Sequence, residues 1–104
     1  MILELVLFKN PAGLSRAAEL EGARHVVAKW QANHDLLRKH FMRSEDGTEG
    51  GAVYVWASRA AAEAAHGPEW RAGVKARTGS EPTCRYFDLL MLLDNAAGTV
   101  TEFP

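Results

Sequence analysis

Two histidines, three aromatic side chains and an arginine carry most of the chemistry this sequence offers. Tyr54 and Trp56 stand two apart in the β-branched, aromatic run Ala52-Val53-Tyr54-Val55-Trp56, so in a strand they point to one face. Downstream, His66 ends an alanine-rich stretch and Trp70 follows the break at Gly67-Pro68. An imidazole can act as acid or base near neutral pH, and a buried indole N–H wants an acceptor that a histidine can supply. If Tyr54 and Trp56 face the helices, they floor a cleft with His66 and Trp70 at its rim, an apolar pocket suited to a flat hydrophobic ligand. The plainer alternative is ordinary helix–sheet core, with His66 satisfying the last carbonyls of its helix. His40 is a second candidate base, and Arg38, like Tyr54, a candidate donor to a developing anion. On their strand Arg38 and His40 share a face with Leu36 and Met42, leaving Lys39 and Arg43 on the other. Edge charge that blunts aggregation is the commoner role for Arg38, Lys39 and Arg43.

No stronger signature is present. The chain lacks H-E-x-x-H, C-x-x-C, G-x-S-x-G and phosphate-loop patterns. Its four histidines, His25, His34, His40 and His66, have no ligand spacing, so no metal site is expected. Ser58 reads as a helix cap and Cys84 as a small core residue. Glu4 is the one acid in the first strand, and if buried it needs a partner, as do Arg85 and Asp88. Asp88 with Arg38, or with His40, is a conceivable pair. A net charge of -1 over 104 residues gives no electrostatic footprint for nucleic acid or anionic membrane. No apolar run reaches the roughly 18–20 residues of a membrane span. A single cysteine excludes an internal disulfide and fits a reducing cytoplasm. The segment 1–8, which carries Glu4 and no basic leader, is not expected to be a secretion signal.

These side chains need elements to position them. Residues 2–8 read as a strand, and Asn10-Pro11-Ala12-Gly13 breaks it. Ser15 caps a helix over about 16–32 whose stripe is Leu20, Ala23, Val27 and Trp30. Mid-helix Gly22 either costs stability or allows close packing. A strand over Leu36–Arg43, a turn-rich connector and the strand 52–56 make a hairpin. Ser58 caps the helix of Ala60–Ala65, His66-Gly67-Pro68 stops it, and a further helical stretch runs from Pro68 to Thr78, closed by Gly79. A last strand spans Cys84–Leu93. The order β-α-β-β-α-β predicts an α+β, ferredoxin-like fold over residues 1–94, a four-stranded antiparallel sheet with helices on one face, and a tail over 95–104.

The first and last strands are apolar on both faces, whereas an antiparallel sheet with one wet face alternates apolar and polar. Two helices cover only one side. Four or five large side chains left in water forgo roughly 1.5–3 kcal/mol each. A second copy packed face to face, a homodimer, resolves this deficit. The alternative is a tail folded back across the open face.

The stretch from Tyr54-Val55-Trp56-Ala57-Ser58 through Ala64-Ala65-His66-Gly67-Pro68-Glu69-Trp70 resembles the antibiotic biosynthesis monooxygenase family of the dimeric α+β barrel superfamily. The hairpin Lys39–Glu45 through Gly50–Tyr54, with Arg85-Tyr86-Phe87-Asp88, looks like the small YdhR-like branch. The resemblance implies a homodimer with sheets back to back and a pocket in each subunit between helices and sheet. It also implies oxidation of aromatic, polyketide-type phenols by molecular oxygen, without flavin or metal. Trp56 matches the family's strand-end tryptophan and His66 its helix histidine. Other relatives degrade haem, but their pattern has an asparagine in the first strand and residues 2–8 contain none. The expectation is a cytoplasmic, cofactor-independent monooxygenase for a small aromatic or quinol-type substrate. His66 or His40 would be its base, and Tyr54, Trp56, Trp70 and Arg38 would contact substrate. A non-catalytic dimeric ligand-binding module and an isomerase or cyclase on the same scaffold are the competing readings.

Overall fold

Strand β1 (Ile2–Lys9) has apolar side chains on both sides, and it lies inside the sheet. In the computed structural model, which describes all 104 residues, it pairs antiparallel with β3 (Glu49–Trp56) and with β4 (Thr83–Asp88), while β2 (Leu36–Arg43) flanks β3. The four-stranded order is therefore β2-β3-β1-β4. Helices α1 (Arg16–Gln31), α2 (Arg59–Ala65) and α3 (Pro68–Thr78) complete the α+β layer pair. No helix is long and apolar enough to cross a membrane.

Local signals account for the helix ends. The Ser15 hydroxyl accepts from the Ala18 N–H and the Ser58 hydroxyl from the Ala61 N–H, each at 3.1 Å. Pro68 opens α3, and Gly79 closes it in the left-handed region at φ 77°. Glu19 anchors α1: it receives Arg43 Nη1 at 2.6 Å and the Asn10 amide at 3.1 Å. Trp30 is the one buried residue of α1. Leu20 and Val27, read as part of the inward stripe, are 42% and 39% exposed; Ala23 of that stripe is half-buried, and so is Val26, which the stripe did not include. Gly22 borders open space rather than a close neighbour. Gly22→Ala is thus expected to raise stability by about 0.5–1 kcal/mol, read as a higher urea midpoint at unchanged slope.

Three further differences from the sequence reading have local causes. Leu36 pairs with Trp56 but Arg38 pairs with Val55, so Leu37 is an extra residue in β2. This bulge reverses the faces beyond it. Leu36 and Lys39 look toward the helices, while Arg38 and His40, opposite Val55 and Val53, look away. Secondly, β3 starts at Glu49 and runs through Gly51, whose φ of 151° and close approach to β1 require glycine: a Cβ there would lie 1.9 Å from the Val6 carbonyl oxygen.

Thirdly, the last strand does not run on to Leu93. Asp88 pairs with Ile2, the first residue of β1, and beyond it only the Leu89 N–H reaches back, to the Met1 carbonyl at 3.1 Å. The chain turns away and forms a separate hairpin of β5 (Met91–Asp94) and β6 (Thr99–Glu102). Leu90, Met91, Leu93 and Val100 remain exposed on this arm. It lengthens the molecule to a radius of gyration of 14.6 Å, against about 13 Å for a compact chain of this size. The tail therefore leaves Leu3, Leu5, Leu7, Val53 and Val55 half-exposed on the helix-free face of the sheet.

Candidate functional site

The central position of β1 sets the site. Register places Glu4 between Tyr54 of β3 and Tyr86 of β4, on the helix side. Glu4 and Trp56 are both fully buried. The Trp56 indole Nε1–H donates to Glu4 Oε1 at 2.9 Å. His66 caps the C-terminus of α2, its backbone N–H bonded to the Ala62 carbonyl, and its ring turns beneath the helix. His66 Nδ1 lies 2.7 Å from the same Oε1. Because Glu4 is ionised, Nδ1 carries the proton and donates. Two donors thus converge on one oxygen, and Glu4 Oε2 and His66 Nε2 are buried without a hydrogen-bond partner.

Burial alone pushes the Glu4 carboxyl up, but the hydrogen bond and charge of His66 and the Trp56 bond outweigh it and hold the group below its ordinary value. A carboxyl depressed in the fold stabilises it above the unfolded value of 4.5, and that contribution fades as pH falls below it. Denaturant midpoints measured from pH 7 to pH 3 should accordingly fall more steeply for the wild type than for Glu4→Gln. Equal slopes would refute the coupling.

Aromatic rings box the imidazole. Tyr54 meets it edge-on at 4.6 Å, Trp30 at 5.5 Å and Trp56 at 5.7 Å, and the Trp70 ring lies over it at 3.9 Å, tilted 34°. Burial and the nearby Glu4 charge raise the Tyr54 phenol well above its ordinary range and the Tyr86 phenol to about 12. Both therefore stay protonated donors at neutral pH. The same two causes raise the Cys84 thiol, which keeps it in its unreactive form.

Between the helices and the sheet lies a cleft of about 1480 Å³, with Trp30, Tyr54 and Trp70 in its walls. The structure thus brings His66, Tyr54, Trp56 and Trp70 together, but not in the arrangement read from sequence. His66 and Trp56 do not reach the cleft surface; they lie under its floor, with Trp70 across the imidazole. Trp56 finds its acceptor in Glu4 rather than in the histidine. His40 and Arg38 are exposed on the opposite face of the sheet, turned there by the bulge at Leu37, and are not part of this cluster. Nor can either pair with Asp88, since β2 and β4 are the two outer strands of the sheet.

Two residues escaped the sequence reading as site members. Glu4 carried a signal, a lone acid in an apolar strand that needed a partner, but its partners were unidentifiable. Lys39 carried none: the bulge turns it into the cleft, where its ammonium lies 4.3, 4.0 and 4.6 Å from the Trp30, Phe41 and Tyr54 ring centres.

Two solved structures share this path of the chain. Rv0793 from Mycobacterium tuberculosis superposes with a TM-score of 0.63 at 17% identity, covering 86% of this chain and 96% of its own. A variant of SnoaB, a cofactor-independent oxygenase from Streptomyces nogalater, superposes with a TM-score of 0.58 at 18% identity, covering 85% and 92%. The chain thus has the α+β fold of these two structures, with a four-stranded antiparallel sheet and three helices. Within that fold, the buried Glu4–His66 pair sits where β1, β3 and α2 meet, beneath the cleft. No family profile matches the sequence, and no curated protein does.

Proposed function

We propose that this protein is a cofactor-independent monooxygenase for a small aromatic or quinol-type substrate, held in the cleft of each subunit of a homodimer. A monooxygenase-like scaffold supports the reading, since SnoaB, with the same fold, is a cofactor-independent oxygenase. The observation that carries it is the buried Glu4–His66 pair, whose Nε2 is left without a partner beneath an aromatic-walled cleft. Unpaired buried polar atoms are uncommon and mark functional positions. A carboxylate that orients an imidazole through one nitrogen leaves the other to take a proton.

The chemistry needs little more. An acidic C–H or O–H of the substrate gives its proton to His66 Nε2, and the resulting electron-rich anion passes electrons to molecular oxygen. For a CH₂ group flanked by aromatic rings, one oxygen atom becomes the product carbonyl and the other leaves as water. The substrate's own electrons reduce both atoms. Trp70 separates the imidazole from the cleft, so proton transfer requires that ring to turn aside or a water to pass it. Tyr54, protonated and in the cleft wall, is the donor to the developing anion.

The homodimer rests on the half-exposed leucines and valines of the helix-free face, which the C-terminal hairpin leaves uncovered. A second copy offers the same apolar face in return. The lone cysteine supports a cytoplasmic setting, and the hairpin sequence from Lys39 to Tyr54 supports the small YdhR-like branch.

The covered position of His66 favours a second reading, a non-catalytic dimeric module that binds a small hydrophobic ligand. Oxygen-electrode assays with dihydroxynaphthalenes and anthrones separate the two. Oxygen uptake with conversion supports the oxygenase. Conversion without uptake means an isomerase or cyclase, and binding without turnover means the module.

A further inference from the structure

Five cations line the cleft; Arg43 is paired with Glu19, but Lys29, Lys39 and Arg77 each rest on an aromatic ring instead of a carboxylate. Lys29 lies 4.8 Å from the Trp30 ring centre, Arg77 lies 5.4 Å from that of Phe8, and Lys39 sits over Trp30, Phe41 and Tyr54. None of the three forms an ion pair. Lys39 is the half-buried member. Withdrawing an ammonium from water is costly, and ring faces return only part of that hydration. An unpaired cation retained in such a place suits a site whose counter-charge arrives with the ligand.

We propose that the cleft takes an aromatic substrate carrying a negative charge, a carboxylate or phenolate, and that Lys39, backed by Lys29 and Arg77, receives that charge. The inference deepens the proposed function in its choice of substrate class, and it requires only that the cleft bind ligand, not that turnover occur.

The surroundings of Lys39 define its pH response. α1 presents Lys29 to it and α3 presents Arg77. β3 presents Tyr54, which stays neutral. Of the acids lining the cleft, Glu19 is tied to Arg43, while Glu45 and Glu69 form no ion pair. Burial first, then Lys29 and Arg77, bring the Lys39 amine down to about 7. A bound anion favours the charged amine, so binding above pH 7 takes up a proton and affinity falls as pH rises.

Titration calorimetry with 1-hydroxy-2-naphthoate and 1-naphthol tests this directly. At pH 6 the hydroxynaphthoate should bind about ten- to hundredfold more tightly, the range a charge-assisted hydrogen bond confers. That preference should survive in Lys39→Arg, disappear in Lys39→Met and shrink between pH 6 and pH 8.5, with proton uptake on binding at the higher pH. Equal binding of the two probes, or a preference intact in Lys39→Met, overturns the assignment of Lys39. Failure of both probes to bind overturns the cleft as an aromatic site, and the proposed function with it. Tight, Lys39-dependent binding without oxygen uptake upholds the anion site and removes only the oxygenase.

Discussion

Replacing His66 with alanine should lower oxygen uptake by roughly 10²–10⁴-fold, the span that a positioned general base contributes. Calorimetric affinity for the aromatic ligand should change little, because the ring lies beneath the cleft rather than in its wall. Glu4→Gln is the informative companion. Its amide carbonyl can still accept from Trp56 and His66, so the geometry is retained while the charge that supports an imidazolium is lost. A smaller fall in rate is expected, with KM unchanged. Trp56→Phe removes one of the two donors to Glu4 and should also slow turnover. Thermal unfolding of each variant separates loss of rate from loss of fold. A folded His66→Ala protein that consumes oxygen at the wild-type rate would falsify the proton-transfer role.

Leu5→Asp should convert a dimer into a species of 11.4 kDa. Leu5 lies on central strand β1, facing away from the helices between Val53 and Arg85 of the adjoining strands. In a two-fold interface the substitution acts twice. At about 1.5–3 kcal/mol for each buried leucine, the loss is roughly 3–6 kcal/mol, or roughly 10²–10⁴-fold in dissociation constant, before the cost of burying two carboxylates. Light scattering behind a sizing column reads the result. Should the wild type itself run as a monomer at micromolar concentration, the helix-free face is not an interface between copies. Leu5→Asp leaves the helix side untouched, so ligand binding by the separated subunit should persist if each cleft is complete in one chain.

Much of this molecule is written locally. The caps at Ser15 and Ser58, the stop at His66-Gly67-Pro68 and the left-handed Gly79 are each governed by a few neighbouring residues, so residue type alone located the helices to within a residue or two. The order of elements along the chain followed from alternating strand and helix patterns, and the surplus of apolar β-surface was evident from composition and alternation alone. The clustering of Tyr54, Trp56, His66 and Trp70 was likewise legible, because they lie on successive elements joined by short turns.

What tertiary structure decided depends on register between distant strands. Glu4 meets Trp56 and His66 across 52 and 62 residues, and no local pattern specifies such a match. The single extra residue at Leu37 exchanged the roles of Lys39 and His40, since a strand's side-chain period of two makes one inserted residue reverse every face beyond it. The C-terminal arm left the sheet because β1 starts at Ile2 and, past Asp88, only the Met1 carbonyl is left to receive a bond, from the Leu89 N–H. Composition and spacing thus determined which side chains were available for chemistry; the pairing of strands determined which of them meet, which are covered and which face the cleft.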